Sequence, residues 1–193
     1  LIGLLVLLTI FIPFHGTFSV LKTRRLGMHF LRGLAVVFAN LTFFLGLAEL
    51  PLAEATAIFF VSPLLITVFS IFFLREKVGI HRWGSVVFGL LGVLIILRPG
   101  TEAFKISSLL PIAAAVGYAT LHMLTRYIGK TESALTMSFY IQITFIFICC
   151  IFWLFVGDGR FDTETSAALD FLLREWGSLS KEDWSLFLLL GTS

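Results

Sequence analysis

The chain has 193 residues, 58% of them hydrophobic and only 13% charged, and its mean hydropathy is +1.00. A soluble core of this length is never so poor in charge, so the composition excludes a soluble domain and describes a polytopic membrane protein. The formal net charge of +2 excludes little by itself; where the charges sit says more.

In chain order, the first apolar segment runs from Leu1 to about Phe14, with no initiator methionine before it. A loop from His15 to Arg25 carries Lys22, Arg24 and Arg25. A second segment covers Met28 to Leu50, with Arg32 near its start. Leu50-Pro51-Leu52 is a tight turn, because proline suits the start of a helix and Glu54 sits favourably in its first turn. Segment three, Ala55 to Leu74, has about the length needed to cross a hydrocarbon core. Pro63 inside it cannot donate to the Phe59 carbonyl and predicts a bend. The basic turn Arg75 to Arg82 leads to segment four, Trp83 to Leu97, which reaches span length if Arg82 and Arg98 snorkel to the interfaces. Arg98-Pro99-Gly100 ends it. Segment five spans Ser107 to Ile128 and segment six Ser133 to Val156. Gly157 to Asp183 is the sizeable polar region; its middle, Ala167 to Trp176, is predicted as a short amphipathic surface helix. Ser180 to Asp183 reads as a capping box opening a seventh segment at Trp184. That last run stops about halfway to span length, so the chain reads as an internal fragment of a longer protein. No cleaved signal peptide is expected, since the first run leads into a basic loop.

Charges on alternate sides give the topology. One side takes Lys22, Arg24, Arg25, Arg32, Arg75, Lys77, Arg82, Arg126 and Lys130, nine of the fourteen basic residues. Only Glu76 and Glu132 oppose them there. The other side takes the remaining ten acidic residues. The basic side is therefore expected to be cytoplasmic.

No enzyme motif is present: no His-Glu-x-x-His, no Gly-x-Ser-x-Gly and no phosphate loop. Cys149 and Cys150 are adjacent and point different ways on a helix, which suggests neither a disulfide framework nor a metal site. The informative residues are polar ones at membrane depth, which face protein or a water-filled cavity. In segment five, Pro111, Ala115, Tyr118, His122 and Thr125 share one face. Tyr118 and His122 there offer aromatic contact, hydrogen bonds and, at the histidine, proton exchange near neutral pH; a His-Tyr pair bonding a neighbouring helix is the alternative. Segment three carries the stripe Thr56, Phe60, Pro63, Thr67 and Ser70, which either faces a cavity or packs with its hydroxyls bonded to backbone. Asn40 lies mid-membrane on a face with Gly33, Val37, Phe44 and Leu47, suited to substrate contact or to helix-to-helix bonding. Gln142 has the same ambiguity. Ser85, Gly89 and Gly92 in segment four form a small-residue stripe for close packing. Glu49 and Glu54 lie at the outer interface. The 22 phenylalanines suit a pocket for aromatic molecules but are also ordinary lipid-facing filler.

From Leu52 to Gly100 the sequence resembles a repeat of the drug/metabolite transporter superfamily, specifically its EamA-type domain. The resemblance rests on Leu50-Pro51-Leu52-Ala53-Glu54-Ala55-Thr56-Ala57-Ile58, Ser62-Pro63, Leu74-Arg75-Glu76-Lys77, Gly89, Gly92 and Arg98-Pro99-Gly100, in this order and spacing. It extends more loosely to Leu179 through Trp184. It implies an all-α, polytopic transmembrane helical bundle, part of two inverted five-helix repeats, as alternating access requires. Residues 1–100 would then end the first repeat (helices two to five, helix two incomplete). Residues 101–193 would begin the second, with helices six, seven and the start of eight.

The expected function is a secondary transporter moving a small organic metabolite or drug-like compound. Asn40, Thr56, Phe60, Thr67, Tyr118 and His122 are the candidate substrate-binding residues, and His122 and Glu54 the candidates for proton coupling. Neither a metal nor a cofactor is expected. The expected partners are a small-molecule substrate and the lipid bilayer, not nucleic acid, and a homo-oligomer is left open. The expected location is a bacterial inner membrane with the basic loops cytoplasmic. An integral membrane enzyme or a non-transporting membrane subunit is the alternative.

Overall fold

Proline and small residues decide where these helices stop and how closely they approach. In the computed structural model, residues 22–75, 79–97 and 105–156 are described, together with Leu173. Helix α1 (Leu26–Glu49) ends where Pro51 pushes Leu50 into extended geometry, φ −121° and ψ 148°. The residue before a proline is sterically barred from the helical region. Pro51 caps the next helix, α2 (Leu52–Phe59), which carries Glu54 in its first turn, where a carboxylate suits the positive end of the helix dipole.

The sequence predicts a bend at Pro63, and there the regular helical ladder of the span is interrupted, although Phe60 and Val61 keep right-handed dihedral angles. α2 stops at Phe59 and α3 (Ser62–Leu74) begins three residues later, with Pro63 in its first turn. Pro63 has no N–H for the Phe59 carbonyl. The chain instead tightens, and the Val61 N–H reaches back only three residues, to the Ile58 carbonyl at 3.1 Å. α3 ends in a left-handed residue, Arg75 at φ 52° and ψ 36°, whose N–H bonds the Ser70 carbonyl. This conformation costs an L-residue about 1 kcal/mol that glycine escapes. Arg75→Gly is therefore expected to raise the melting temperature of the full-length protein in detergent. A lowered melting temperature would count against the left-handed cap.

α4 (Ile80–Leu97) follows. A short 3-10 turn, Ile106–Ser108, leads into α5 (Leu109–Ile128). Pro111 sits in the first turn of α5, where a missing N–H leaves no helical bond unmade. α6 (Ala134–Val156) begins after Ser133, whose hydroxyl accepts the Thr136 N–H at 3.1 Å and so caps the helix. No strand occurs among the described residues. Four stretches are long and apolar enough to cross a membrane: Leu26–Glu49, Leu52–Leu74, Ile106–Ile128 and Ala134–Val156; Trp83–Ile95 is a shorter apolar helix. They match the second to sixth predicted segments. The first segment, the centre of the basic turn with Glu76, the Arg98-Pro99-Gly100 stop, the surface helix, the capping box and the seventh segment lie outside the described residues.

α5 is the hub of the bundle, meeting α1, α2 and α3. In lipid the tails are as apolar as the side chains, so helices associate through close packing and hydrogen bonds. Small residues accordingly mark the contacts. A Cβ at Gly117 would lie 2.9 Å from Phe38 Cδ1 and 3.2 Å from both the Ala35 carbonyl oxygen and Ala39 Cβ. Gly46 admits Pro111, and Gly33 admits Thr144 of α6. Of the predicted α4 stripe, Gly89 fits against Leu64, whereas a Cβ at Gly92 would meet nothing within 4 Å among the described residues. Two apolar clusters complete the core. Leu50, Ala55 and Ile58 gather Phe43, Leu47 and Ile112; Val61, Val93 and Ala115 gather Phe59, Leu64 and Leu65.

Candidate functional site

The break in the α2–α3 span turns one aromatic ring toward α5. Phe59, the last residue of α2, meets Tyr118 edge-on with ring centroids 5.5 Å apart. Tyr118 in turn meets His122 at 4.4 Å, one turn further along α5. On the other side Phe59 lies 5.0 Å from Phe43 of α1, and Phe43 lies 6.4 Å from Phe44. The result is a row of rings, Phe44–Phe43–Phe59–Tyr118–His122, that crosses three helices. Tyr118, His122, Phe43 and Phe59 are half-buried and Phe44 is exposed. Edge-to-face pairs of this kind hold each ring's orientation beyond simple area burial.

Of the predicted site residues, the structure brings Tyr118 and His122 together. Phe60 stands at the break with 73% of its surface exposed; its neighbour Phe59 takes the position against Tyr118. Phe60 keeps the predicted register with Thr56, its N–H bonding the Thr56 carbonyl at 3.1 Å, and it is this face that is open at Phe60. Thr56 donates to the Leu52 carbonyl at 2.7 Å and Thr67 to the Pro63 carbonyl at 3.0 Å. Both donors are thus satisfied within their own chain segment, the bonding that Ser and Thr adopt inside apolar helices. Asn40 is exposed and donates to the Val36 carbonyl at 2.9 Å. Its face points away from α5, to which α1 presents Ala35 and Ala39. Glu54 is half-buried in the first turn of α2.

A second group of polar side chains, not singled out in the sequence, closes the opposite end of the bundle. The turn between α5 and α6 carries Glu132, whose carboxylate accepts the Thr23 hydroxyl at 2.7 Å and lies 3.9 Å from His29 Nε2. Arg32, one turn beyond His29, donates to the Met137 carbonyl at 2.9 Å. The Arg25 guanidinium lies over the Tyr127 ring at 5.7 Å, and Arg126 donates to Ser70 at 3.1 Å. The only signal for this group in the sequence is a histidine and an arginine three residues apart at a helix start. Nothing local joins them to a glutamate more than a hundred positions away.

The EamA-like transporter family model matches residues 1–98. The chain is similar to the S-adenosylmethionine uptake transporter of Rickettsia felis, 35% identical over 130 residues, 67% of this chain and 44% of that protein. The counterpart from Rickettsia conorii is 33% identical over 171 residues, 88% of this chain and 56% of that protein. The riboflavin transporter of Vibrio cholerae is 33% identical over 138 residues, 69% of this chain and 46% of that protein. The chain thus spans about half the length of the curated relatives it matches. No solved structure is significantly similar to it. An all-helical bundle with several membrane-length helices, matched over half its length by one family model, has one reading: the chain belongs to the EamA-like transporter family, within the drug/metabolite transporter superfamily.

Proposed function

We propose that the protein containing this chain is a secondary transporter for a small metabolite carrying a flat aromatic group. It moves that metabolite by alternating access between two inverted five-helix repeats, with residues 1–100 ending one repeat and 101–193 beginning the other. The observation that carries this reading is the ring row Phe43–Phe59–Tyr118–His122, which spans α1, α2 and α5 beside a broken helix. A flat heterocycle stacks on such a row, while His122 and Tyr118 supply a hydrogen-bonding edge. S-adenosylmethionine and riboflavin, the molecules named for the relatives, both contain a flat aromatic heterocycle. Asn40, Thr56, Phe60 and Thr67 are secondary contacts that come into play as the span moves. The end carrying Lys22, Arg24, Arg25, Arg126 and Lys130 faces the cytoplasm, by the positive-inside rule.

The test is uptake of radiolabelled S-adenosylmethionine and riboflavin into liposomes holding the full-length protein. At least one is expected to accumulate above empty liposomes. Tyr118→Ala should lower its initial rate up to about tenfold, the worth of one aromatic contact, and Tyr118→Phe much less. Absence of flux for both, and across a broad panel of metabolites, would sink the reading.

A further inference from the structure

His29 and Arg32 are the most deeply buried ionisable side chains among the described residues, at 1% and 2% exposure. Both ring nitrogens of His29, and Nε and Nη1 of Arg32, are buried without a hydrogen-bond partner among the described residues. Buried polar groups are almost always satisfied, so two neighbours left so poorly paired call for an explanation. His29 is held by its surroundings rather than by hydrogen bonds. Its ring stacks on Tyr140 of α6 with centroids 4.7 Å apart, and the Glu132 carboxylate stands 3.9 Å from Nε2, too far for a hydrogen bond. Glu132 is only 12% exposed and is fastened by the Thr23 hydroxyl. That hydroxyl also accepts the Arg25 N–H at 3.0 Å.

We propose that His29 and Glu132 form the proton-binding site of this transporter, and that proton uptake there is linked to the turn at residues 129–133 swinging away from α1. The proposal rests on the transport reading and supplies its coupling ion. Charge balance gives the direction. With His29 neutral, the group holds one cation, Arg32, and one carboxylate, Glu132. A proton on His29 places two cations three residues apart on one helix face, in a site that water does not reach and that a single carboxylate cannot balance. The other charged and titratable groups at this end are already committed or solvated. From α5, Arg126 reaches Ser70 and Tyr127 lies under Arg25. From α6, Tyr140 offers its ring face to His29. Lys22, Arg24 and Lys130 are exposed. Opening the turn admits water to all four unpaired nitrogens and to the imidazolium, so the open form binds the proton more tightly. By linkage, acid then favours the open form. His122, beside Tyr118, has no carboxylate partner among the described residues, so the coupling role falls to His29.

The test uses the full-length protein with all of its cysteines, Cys149 and Cys150 among them, replaced by serine and nitroxide labels introduced through Gly27→Cys and Thr131→Cys. It is reconstituted in phosphatidylethanolamine–phosphatidylglycerol liposomes. Positions 27 and 131 are exposed and report the distance between the start of α1 and the turn. As pH falls from about 8 to about 5.5, the range in which histidine titrates, a longer-distance population is expected to grow. One linked proton allows a change of at most about tenfold per pH unit. His29→Gln should hold the distances constant with pH. Glu132→Gln, which keeps an acceptor for Thr23 but leaves the closed form with no balancing carboxylate, should keep the pH response and enlarge the longer-distance population at every pH, and it decides alone if His29→Gln fails to fold. Distances that ignore pH in the parent protein, that shorten in acid, or that respond equally in both variants would overturn the proposal. Uptake of the two radiolabelled metabolites, measured in the same liposomes, separates the two failures. Flux with pH-insensitive distances removes the proton site and leaves transport standing, whereas pH-dependent distances without flux remove transport and leave the site.

Discussion

Gly117→Leu is expected to cost the bundle about 3 kcal/mol, the upper end of what overpacking a tight contact imposes. Gly117 lies where α5 crosses α1, and the first atom added there already meets Phe38 at 2.9 Å and the Ala35 carbonyl oxygen at 3.2 Å. A ring edge can turn aside; a backbone carbonyl cannot without moving α1. Displacing α1 would also disturb its seat against α6, where Gly33 admits Thr144. Gly117→Ala should therefore fall between wild type and leucine, at about 1 kcal/mol. Melting temperatures of the full-length protein in detergent, read across glycine, alanine and leucine, check the ordering. An unchanged melting temperature for Gly117→Leu would mean that α1 and α5 do not approach this closely.

The second large effect is expected at Glu132. Glu132→Ala removes the acceptor of the Thr23 hydroxyl and, among the described residues, the negative charge beside His29. Hydrogen bonds to charged groups carry more than neutral ones, and Arg32 would remain buried without a compensating carboxylate, so a loss of about 2–3 kcal/mol follows. The informative comparison is the double variant Glu132→Ala with Arg32→Met. Removing the buried cation along with its balancing charge should recover part of the loss, because an apolar replacement of both partners leaves no charge unsolvated. Thermal unfolding of the single and double variants, in one detergent at one pH, measures this. A double variant less stable than Glu132→Ala alone would show that Arg32 acts through its bond to the Met137 carbonyl rather than as the counter-charge.

Helix positions were legible because span length, proline and capping chemistry act locally. Pro51 and Ser133 do what their chemistry requires, and the described helices begin and end within a few residues of the predicted segments. The His122–Tyr118 pairing was legible for the same reason, since both lie on one helix four residues apart. The α1 contact face was also written in the sequence. Ala35, Ala39, Thr42 and Gly46 recur at offsets of four, three and four, and all are buried. The eye goes instead to Asn40, whose neighbouring face is exposed. At membrane depth a small side chain can mark a contact more reliably than a polar one, since an amide can bond its own helix, as Asn40 does with Val36. The Phe59 position was hidden because an apolar ring one place before the Thr56–Phe60 stripe carries no polar signal. The His29–Glu132 pair was hidden because it joins positions 103 residues apart, 132 − 29, and only the antiparallel return of α5 beside α1, with the turn that follows it, brings them together.

The interruption at Phe60 and Val61 also has a mechanical consequence. An uninterrupted helix of membrane length is a stiff rod that carries torque from end to end, because every turn is tied to the next by the same ladder of bonds. Here the rod is divided. Its upper half is anchored through Ala55 and Ile58 to Leu50 and Ile112. Its lower half is anchored by Leu64 against Gly89 and by Ser70 through Arg126. Both halves rest on α5, one through Ile112 and the other through Arg126, so the missing ladder bond at Phe60 and Val61 leaves the two halves tied chiefly through their common neighbour. The weakest point of this membrane crossing thus lies where the Phe59 ring meets Tyr118.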